Sequence, residues 1–521
     1  MLGFPTSRAV AVPFRPSISI DDILIQTKGP QMRSRSSSLR KRAVLAFLIP
    51  FGFYLVALAV LAVLGTVFVL LLMSPVVDAR VLIALILGMM LVVLAVVVST
   101  VITVVSSFEK WDPPGILLEP EAHPGLFGLI AAIGQSLGEG LPKEVYLSPE
   151  INAAVTARGG FLGLGRRRVL VVGLPVLHLF TVSELEAILT HEFGHYYGGD
   201  LALLPWIRRS HEQVLRSLGI LEGHPLVLPF RWYAEVLLGL TAQVVREQEL
   251  AADRLAVERV GAPALERGLK KLCQADALLD SYRVAEANAV FSAGFRPPVA
   301  AGLPSFLEAP AIAPRAAEAL EREWDGRTSQ KYDTHPCLRE RVEAMKDAHD
   351  PDGDPDDRPA IVLLSDPDGY ELALHRFVTP GVGDLEPIAW EDVGERVAME
   401  HWREVRDAHA SVLDRYPPES YPEAIERLGE LSAEIVPPNS RIQSPEDRKR
   451  FARTVLGAGL AVALRERGWS AKKEFGQPPE LAWGAKRIDP IVAVRELADG
   501  RCSREDWMEM LSAPGAAADR A

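Results

Sequence analysis

Residues Thr181 to Asp200 read TVSELEAILTHEFGHYYGGD. Leu185, Ile188 and Leu189 recur at helical spacing, and Gly198-Gly199 supply a stop. Thr181 or Ser183 can serve as N-cap, with Glu184 or Glu186 three residues on, as in a capping box. The stretch therefore reads as an amphipathic helix, and His191 and His195 lie one turn apart on nearly the same face. Two imidazoles so placed can point at one ion. Glu192 sits beside them, where its carboxylate can reach a water on that ion without being a ligand. Zinc would acidify the water and Glu192 would take its proton. The later pair His211-Glu212 lacks a second histidine and reads as surface.

Catalytic zinc needs a third protein ligand and an open fourth position. No third histidine follows at the short metzincin spacing. Downstream, REQELAADR (Arg246–Arg254) offers Glu249 and Asp253, again four apart and on one face, in a region where Trp232 to Ala252 reads as another helix. Glu249 can complete the ligand set, while Asp253 accepts a hydrogen bond from a ligand histidine's other nitrogen and so fixes its tautomer. Glu247 points elsewhere.

Two charge-free runs precede this region, from Ala43 to Met73 and from Val81 to Ser107. Each exceeds the roughly 20 apolar residues needed to cross a bilayer. Between them lies only SPVVDAR, so the runs read as a two-helix transmembrane hairpin. Arg33, Arg35, Arg40, Lys41 and Arg42 precede it and Arg80 alone marks the turn, which orients the rest of the chain towards the cytoplasm. Arg231 and Glu235 argue against a further crossing in the later helix. The expected localisation is an integral membrane protein, in the cytoplasmic membrane if the source is bacterial.

The 521 residues suffice for several domains, and the formal net charge of -12 excludes a globally basic nucleic-acid-binding protein. Cys273, Cys337 and Cys502 form no paired spacing, so no disulfide framework is expected. Residues 1–42 form a basic, Ser/Arg/Pro-rich N-terminus, 43–107 the hairpin and 108–347 the domain carrying the histidine helix. In that domain VYLSPEINAAVTARGG and GRRRVLVVGLP read as two strands joined by a Gly-rich turn. Residues 348–360 are acidic and Pro-rich, and read as a solvated linker. Pro355 and Ile361 stand where a calcium loop needs Gly and Glu. From 361 to 521 a mainly helical domain is expected, with AIVLLSD as a strand, helices around Val393–Leu413 and Pro445–Arg467, and Trp390, Trp402, Trp469, Trp483 and Trp507 as anchors.

With these residues in view, the chain resembles the HtpX-type membrane zinc endopeptidases, gluzincins related to the CAAX prenyl endopeptidases, over roughly Trp111 to Met345 and the hairpin. HEFGHYYGGD matches the family's HExxH followed by the aspartate at Asp200. ELAAD matches its Glu-x-x-Ala-Asp element, Asn152-Ala153 its Asn-Ala stretch beside the site, and THPCLRER its His-Pro then Arg element. The resemblance implies His191, His195 and Glu249 as ligands of one Zn2+ per chain, with Glu192 as general base. It also implies His335 as a substrate or oxyanion donor, Asp253, Asp200 and Arg341 as supports, and Asn152 and Ala153 as substrate-binding.

The implied fold is α+β and mostly helical: a zincin-like core with a small antiparallel sheet whose edge pairs with an extended substrate. The expected function is a membrane-anchored zinc endopeptidase acting on membrane or membrane-near proteins. Its partners are protein or peptide substrates and the lipid bilayer, without nucleic acid; the sequence leaves the oligomeric state open. The alternative is a silent or gated zincin scaffold serving as a tethered regulatory protein, against which the retention of His191, Glu192, His195 and Glu249 argues.

Overall fold

The computed structural model describes residues 112–138, 140–158, 167–195, 227–326, 336–346, 354–381, 383–436 and 444–512, with isolated positions elsewhere. Apart from scattered positions, the runs 43–73 and 81–107 lie outside the described residues. Among the described residues no helix is long and apolar enough to cross a membrane. The chain divides into two compact units. Among the described residues, one comprises those up to Asp276 together with those of 318–380, the other Ala277–Ala317 together with those from Gly381 onward.

The first unit carries the histidine helix. Its sheet contains β1 (Ile116–Leu117), β2 (Glu144–Ser148), β3 (Ala153–Arg158) and β4 (Arg167–Gly173) in the order β1-β2-β4-β3. Helices α1 (Pro124–Ser136), α2 (Leu174–Leu179), α3 (Val182–Gly194), α4 (Val227–Val260), α5 (Ala262–Tyr282, whose residues from Ala277 fall in the second unit), α6 (Leu338–Met345) and α7 (Pro367–Val378) follow in chain order. β4 is covered on both faces, which is why Val169, Leu170, Val171 and Val172 form an unbroken apolar run rather than an alternating one.

Two expectations change here. The stretch VYLSPEINAAVTARGG is two strands, because Pro149 lacks the N–H a ladder needs and ends β2. The sheet is also mixed rather than antiparallel: β4 inserts between β2 and β3, pairing parallel with β2 and antiparallel with β3. Gly173 closes the motif, since a Cβ there would stand 1.9 Å from the Glu150 carbonyl oxygen.

α3 starts as its sequence predicts. The Glu184 N–H donates to Thr181 Oγ1 at 3.3 Å, and the Thr181 N–H donates to Glu184 Oε2 at 3.0 Å. α3 packs on α4, α1 and β3. The approach to α4 is close at Gly194, where a Cβ would meet the Ala252 Cα at 3.1 Å.

The segment expected as a solvated linker is docked where it is described. Pro359 bridges Thr181, and Asp356 and Arg358 accept from the first amides of α3. AIVLLSD is no strand: Ala360–Leu363 forms a 3-10 turn. Ala360 and Leu364 are buried while Val362 between them is 56% exposed, a pattern an extended strand cannot give. The compact units therefore divide at 380/381 and around 277–317 rather than at 348–360.

The second unit is mostly helical, built on α8 (Met399–Ala408), α9 (Pro445–Glu466), α10 (Pro490–Ala498) and α11 (Arg504–Leu511). It adds an antiparallel sheet of β5 (Ser470–Lys472), β6 (Glu480–Trp483) and β7 (Lys486–Ile488). Trp402, Trp469 and Trp507 are buried in its core. Phe295–Arg296 pairs with Glu386–Pro387, which ties 277–317 to the C-terminal residues within this unit.

Candidate active site

α3 and α4 bring the candidate ligands together. One ligand atom each from His191, His195 and Glu249 lie within 4.8 Å of one another, all three residues buried. His191 Nε2 is 3.5 Å from Glu249 Oε2, and His195 Nε2 is 3.6 Å from Glu249 Oε1. The two imidazoles meet edge to face, with ring centres 4.7 Å apart. Spacings of this size are too long for hydrogen bonds and leave room for an ion among the three donors.

The outer partners fix this arrangement. His191 Nδ1 lies 2.9 Å from Asp253 Oδ1, so Nδ1 carries the proton and Nε2 presents its lone pair to the ligand cluster. Arg341, on α6, donates to Asp253 Oδ2 from Nε at 2.9 Å and to Oδ1 from its terminal amine at 2.6 Å. Burial works to raise the Asp253 carboxyl, but Arg341 and His191 outweigh it and hold it well below the usual carboxylate range. Burial also works against charge on His191, yet Asp253 and Glu249 lift it to about 9. A metal ion competes with a proton for the same Nε2 lone pair.

Glu192 is buried beside the ligands. Burial first, then the nearby Glu249 charge, push its carboxyl up to about 7, against the charges of His191 and Arg341 and a hydrogen bond from the Val155 backbone on β3. That contact sets the acid/base candidate next to the outer strand of the sheet. β3 pairs with β4 on one side and with no strand on the other among the described residues. At its entrance Asn152 accepts from the Gly173 N–H at 2.6 Å through its backbone, while its side-chain Oδ1 is buried with no hydrogen-bond partner among the described residues. Ala153 is buried on the strand.

The structure thus brings together His191, Glu192, His195, Glu249, Asp253 and Arg341, with Asn152 just before the neighbouring strand and Ala153 at its start. Asp200 and His335 lie outside the described residues. Sequence reading missed the Val155 contact, because a main-chain N–H leaves no trace in side-chain pattern.

The donor chemistry fits a metal: two imidazoles and a carboxylate, buried, with the tautomer of His191 set from behind. Residues 131–349 match peptidase family M48. A protease HtpX homolog of Thiobacillus denitrificans is 24% identical over 254 residues, 44% of this chain and 75% of that protein. Its counterpart in Nitrosomonas eutropha is 27% identical over 161 residues, 27% of this chain and 53% of that protein. Protease HtpX of Tolumonas auensis is 25% identical over 190 residues, 31% of this chain and 62% of that protein. The chain thus spans three quarters of the first of these relatives and less than two thirds of the other two. No solved structure matches. The site and the peptidase match together define a metalloprotease. Within that class residues 131–349 match peptidase family M48, and the curated relatives they resemble are of the HtpX type.

Proposed function

We propose that the chain is a membrane-anchored zinc endopeptidase that hydrolyses peptide bonds in membrane or membrane-near proteins, with Glu192 as general base. The convergence of His191, His195 and Glu249 onto one buried point, backed by Asp253 and Arg341, carries this reading. Zinc suits the donor set better than magnesium or calcium, which favour oxygen ligands alone. When bound, it supplies Lewis acidity to a water and to the scissile carbonyl.

The chain's own residues do the rest. His191, His195 and Glu249 hold the ion, and Asp253 keeps the His191 proton on Nδ1. Glu192 takes a proton from the attacking water and hands it to the departing amine. Burial raises the Glu192 carboxyl, the direction that suits a group which must both accept a proton and return it. An extended substrate adds as a strand along the side of β3 that pairs with no strand among the described residues, where backbone pairing gives affinity with broad side-chain preference. Asn152, whose amide oxygen has no hydrogen-bond partner among the described residues, and Ala153 mark the start of that edge. By resemblance, His335 contributes to oxyanion binding and Asp200 supports the site.

Anchoring rests on the charge-free runs 43–73 and 81–107 and on their flanking arginines, which put the peptidase unit on the cytoplasmic side. The test compares zinc-loaded wild type with Glu192→Gln on an unfolded protein in detergent. Cleavage by wild type alone is expected, and equal cleavage by both would remove Glu192 from the mechanism.

A further inference from the structure

A helix leaves the N–H groups of its first turn without intrahelical partners. In α3 the Glu184 N–H is taken by Thr181. The other two are taken by a segment more than a hundred and fifty residues away: the Val182 N–H donates to the Arg358 carbonyl at 2.9 Å and the Ser183 N–H to the Asp356 carbonyl at 3.1 Å. In return, the Asp356 N–H donates to Ser183 Oγ at 2.7 Å and the Ala360 N–H to the Phe180 carbonyl at 2.8 Å. Ser183 is buried beneath these bonds.

The segment is shaped for this task. Pro355 and Pro359 restrict its backbone on either side. The Asp356 carboxylate accepts from the Arg358 backbone N–H at 3.2 Å and from its guanidinium at 2.9 and 2.6 Å, which bends the chain so that both carbonyls face α3. The far end is tied down separately. The Ser365 N–H donates to His123 Nδ1 at 3.2 Å and its hydroxyl to the Ala122 carbonyl at 2.7 Å. Leu363 lies against Gly125 of α1. The segment itself, from Asp356 to Ser365, lies past residue 349, beyond the stretch matched by the peptidase family.

We propose that residues 356–360 form a positioning strap that fixes the N-terminal end of the histidine helix, and through it the aim of His191 and His195. Ser183 and His191 stand eight residues apart on one rod, about 12 Å along its axis. An end that pivots therefore misaims the imidazoles at the other. The inference rests on His191, His195 and Glu249 being the zinc ligands.

The test uses the full-length protein. Ser183→Ala removes the acceptor for the Asp356 N–H, and Ala360→Pro removes the donor to Phe180; neither touches the ligand cluster. Ser183→Thr keeps the hydroxyl. Three quantities are read: amide exchange at Val182 and Ser183, zinc affinity by chelator competition, and kcat and KM on labelled casein. The first two variants should exchange faster at both amides, bind zinc roughly tenfold more weakly, as loss of supporting contacts behind ligands does, and lose kcat at unchanged KM. Ser183→Thr should stay near wild type. Faster exchange with wild-type zinc affinity and kcat would overturn the strap, as would unchanged exchange in both variants. If Ala360→Pro does not fold, the single-hydroxyl change at Ser183 decides alone. A wrong ligand assignment shows differently, since the wild type itself would then fail to bind zinc.

Discussion

Asp253 carries two buried partners at once, His191 on one oxygen and Arg341 on both. Removing one member of such a group leaves the other charge buried and unpaired, which costs about 3–5 kcal/mol, more than the intact pair contributes. Arg341→Met should therefore lower stability by that amount in urea unfolding and weaken zinc binding as well. An unchanged midpoint would mean that water already solvates Asp253. The ligand assignment has its own control on the same helix: Glu249→Gln should lose zinc on dialysis while Glu247→Gln retains it, as metal analysis of the two proteins will read. Most of this cluster was legible because its members sit four apart on two helices, a spacing that chemistry alone makes meaningful. Arg341 was not legible from spacing. It reaches Asp253 from 88 residues away, and only the likeness of THPCLRER to a known element pointed to it.

The N-terminus of α3 shows the same economy at the level of the element. Glu184 closes the capping box and also meets Arg267 Nε at 3.0 Å and Lys271 Nζ at 2.7 Å. Burial alone would raise its carboxyl, but Lys271, the Thr181 backbone and Arg267 together hold it below its ordinary value. A carboxyl depressed on folding stabilises the protein above its unfolded pKa of about 4.3, and that contribution disappears as pH falls through the folded value. The urea midpoint of wild type should therefore exceed that of Glu184→Gln at pH 7, and the gap should close on acidification below the usual carboxylate range. A gap constant with pH would show that shape, not charge, does the work. Helical period and capping residues made this element readable in advance. The neighbouring strands were harder, since Pro149 splits an apolar run that looks continuous. The strap was invisible, because its bonds to α3 use backbone groups, while its acidic, Pro-rich composition reads as solvated chain.

For the whole molecule, the discontinuous second unit changes what a truncation can reveal. Sequence alone suggests that ending the chain near Asp347 would free a peptidase domain and expose any inhibition by the C-terminal residues. The fold argues otherwise, because Ala277–Ala317 belongs with the residues from Gly381 onward. Tyr282 packs with Phe306 at 4.8 Å, Trp390 at 5.9 Å and Phe475 at 6.0 Å between ring centres. The Trp390 indole N–H donates to the Pro298 carbonyl at 3.0 Å. Glu286 is buried against Lys473 at 2.5 Å and accepts from the Gly476 N–H at 2.8 Å. Deleting the C-terminal residues strips Trp390, Phe475, Lys473 and Gly476 from 277–317 and leaves Tyr282 only Phe306 of these partners. Each large side chain re-exposed costs about 1.5–3 kcal/mol, and the Glu286 charge loses its counter-ion. A chain ending at Asp347 also lacks the strap. It should bind a hydrophobic dye, aggregate on concentration and show little peptidase activity, rather than a gain. A truncated protein that stays monomeric and melts like wild type would mean that 277–317 is held by the peptidase unit instead. The informative cut for regulation is therefore a change on the surface of the second unit within the full chain, which leaves Tyr282, Glu286 and the strap in place while altering whatever that surface binds.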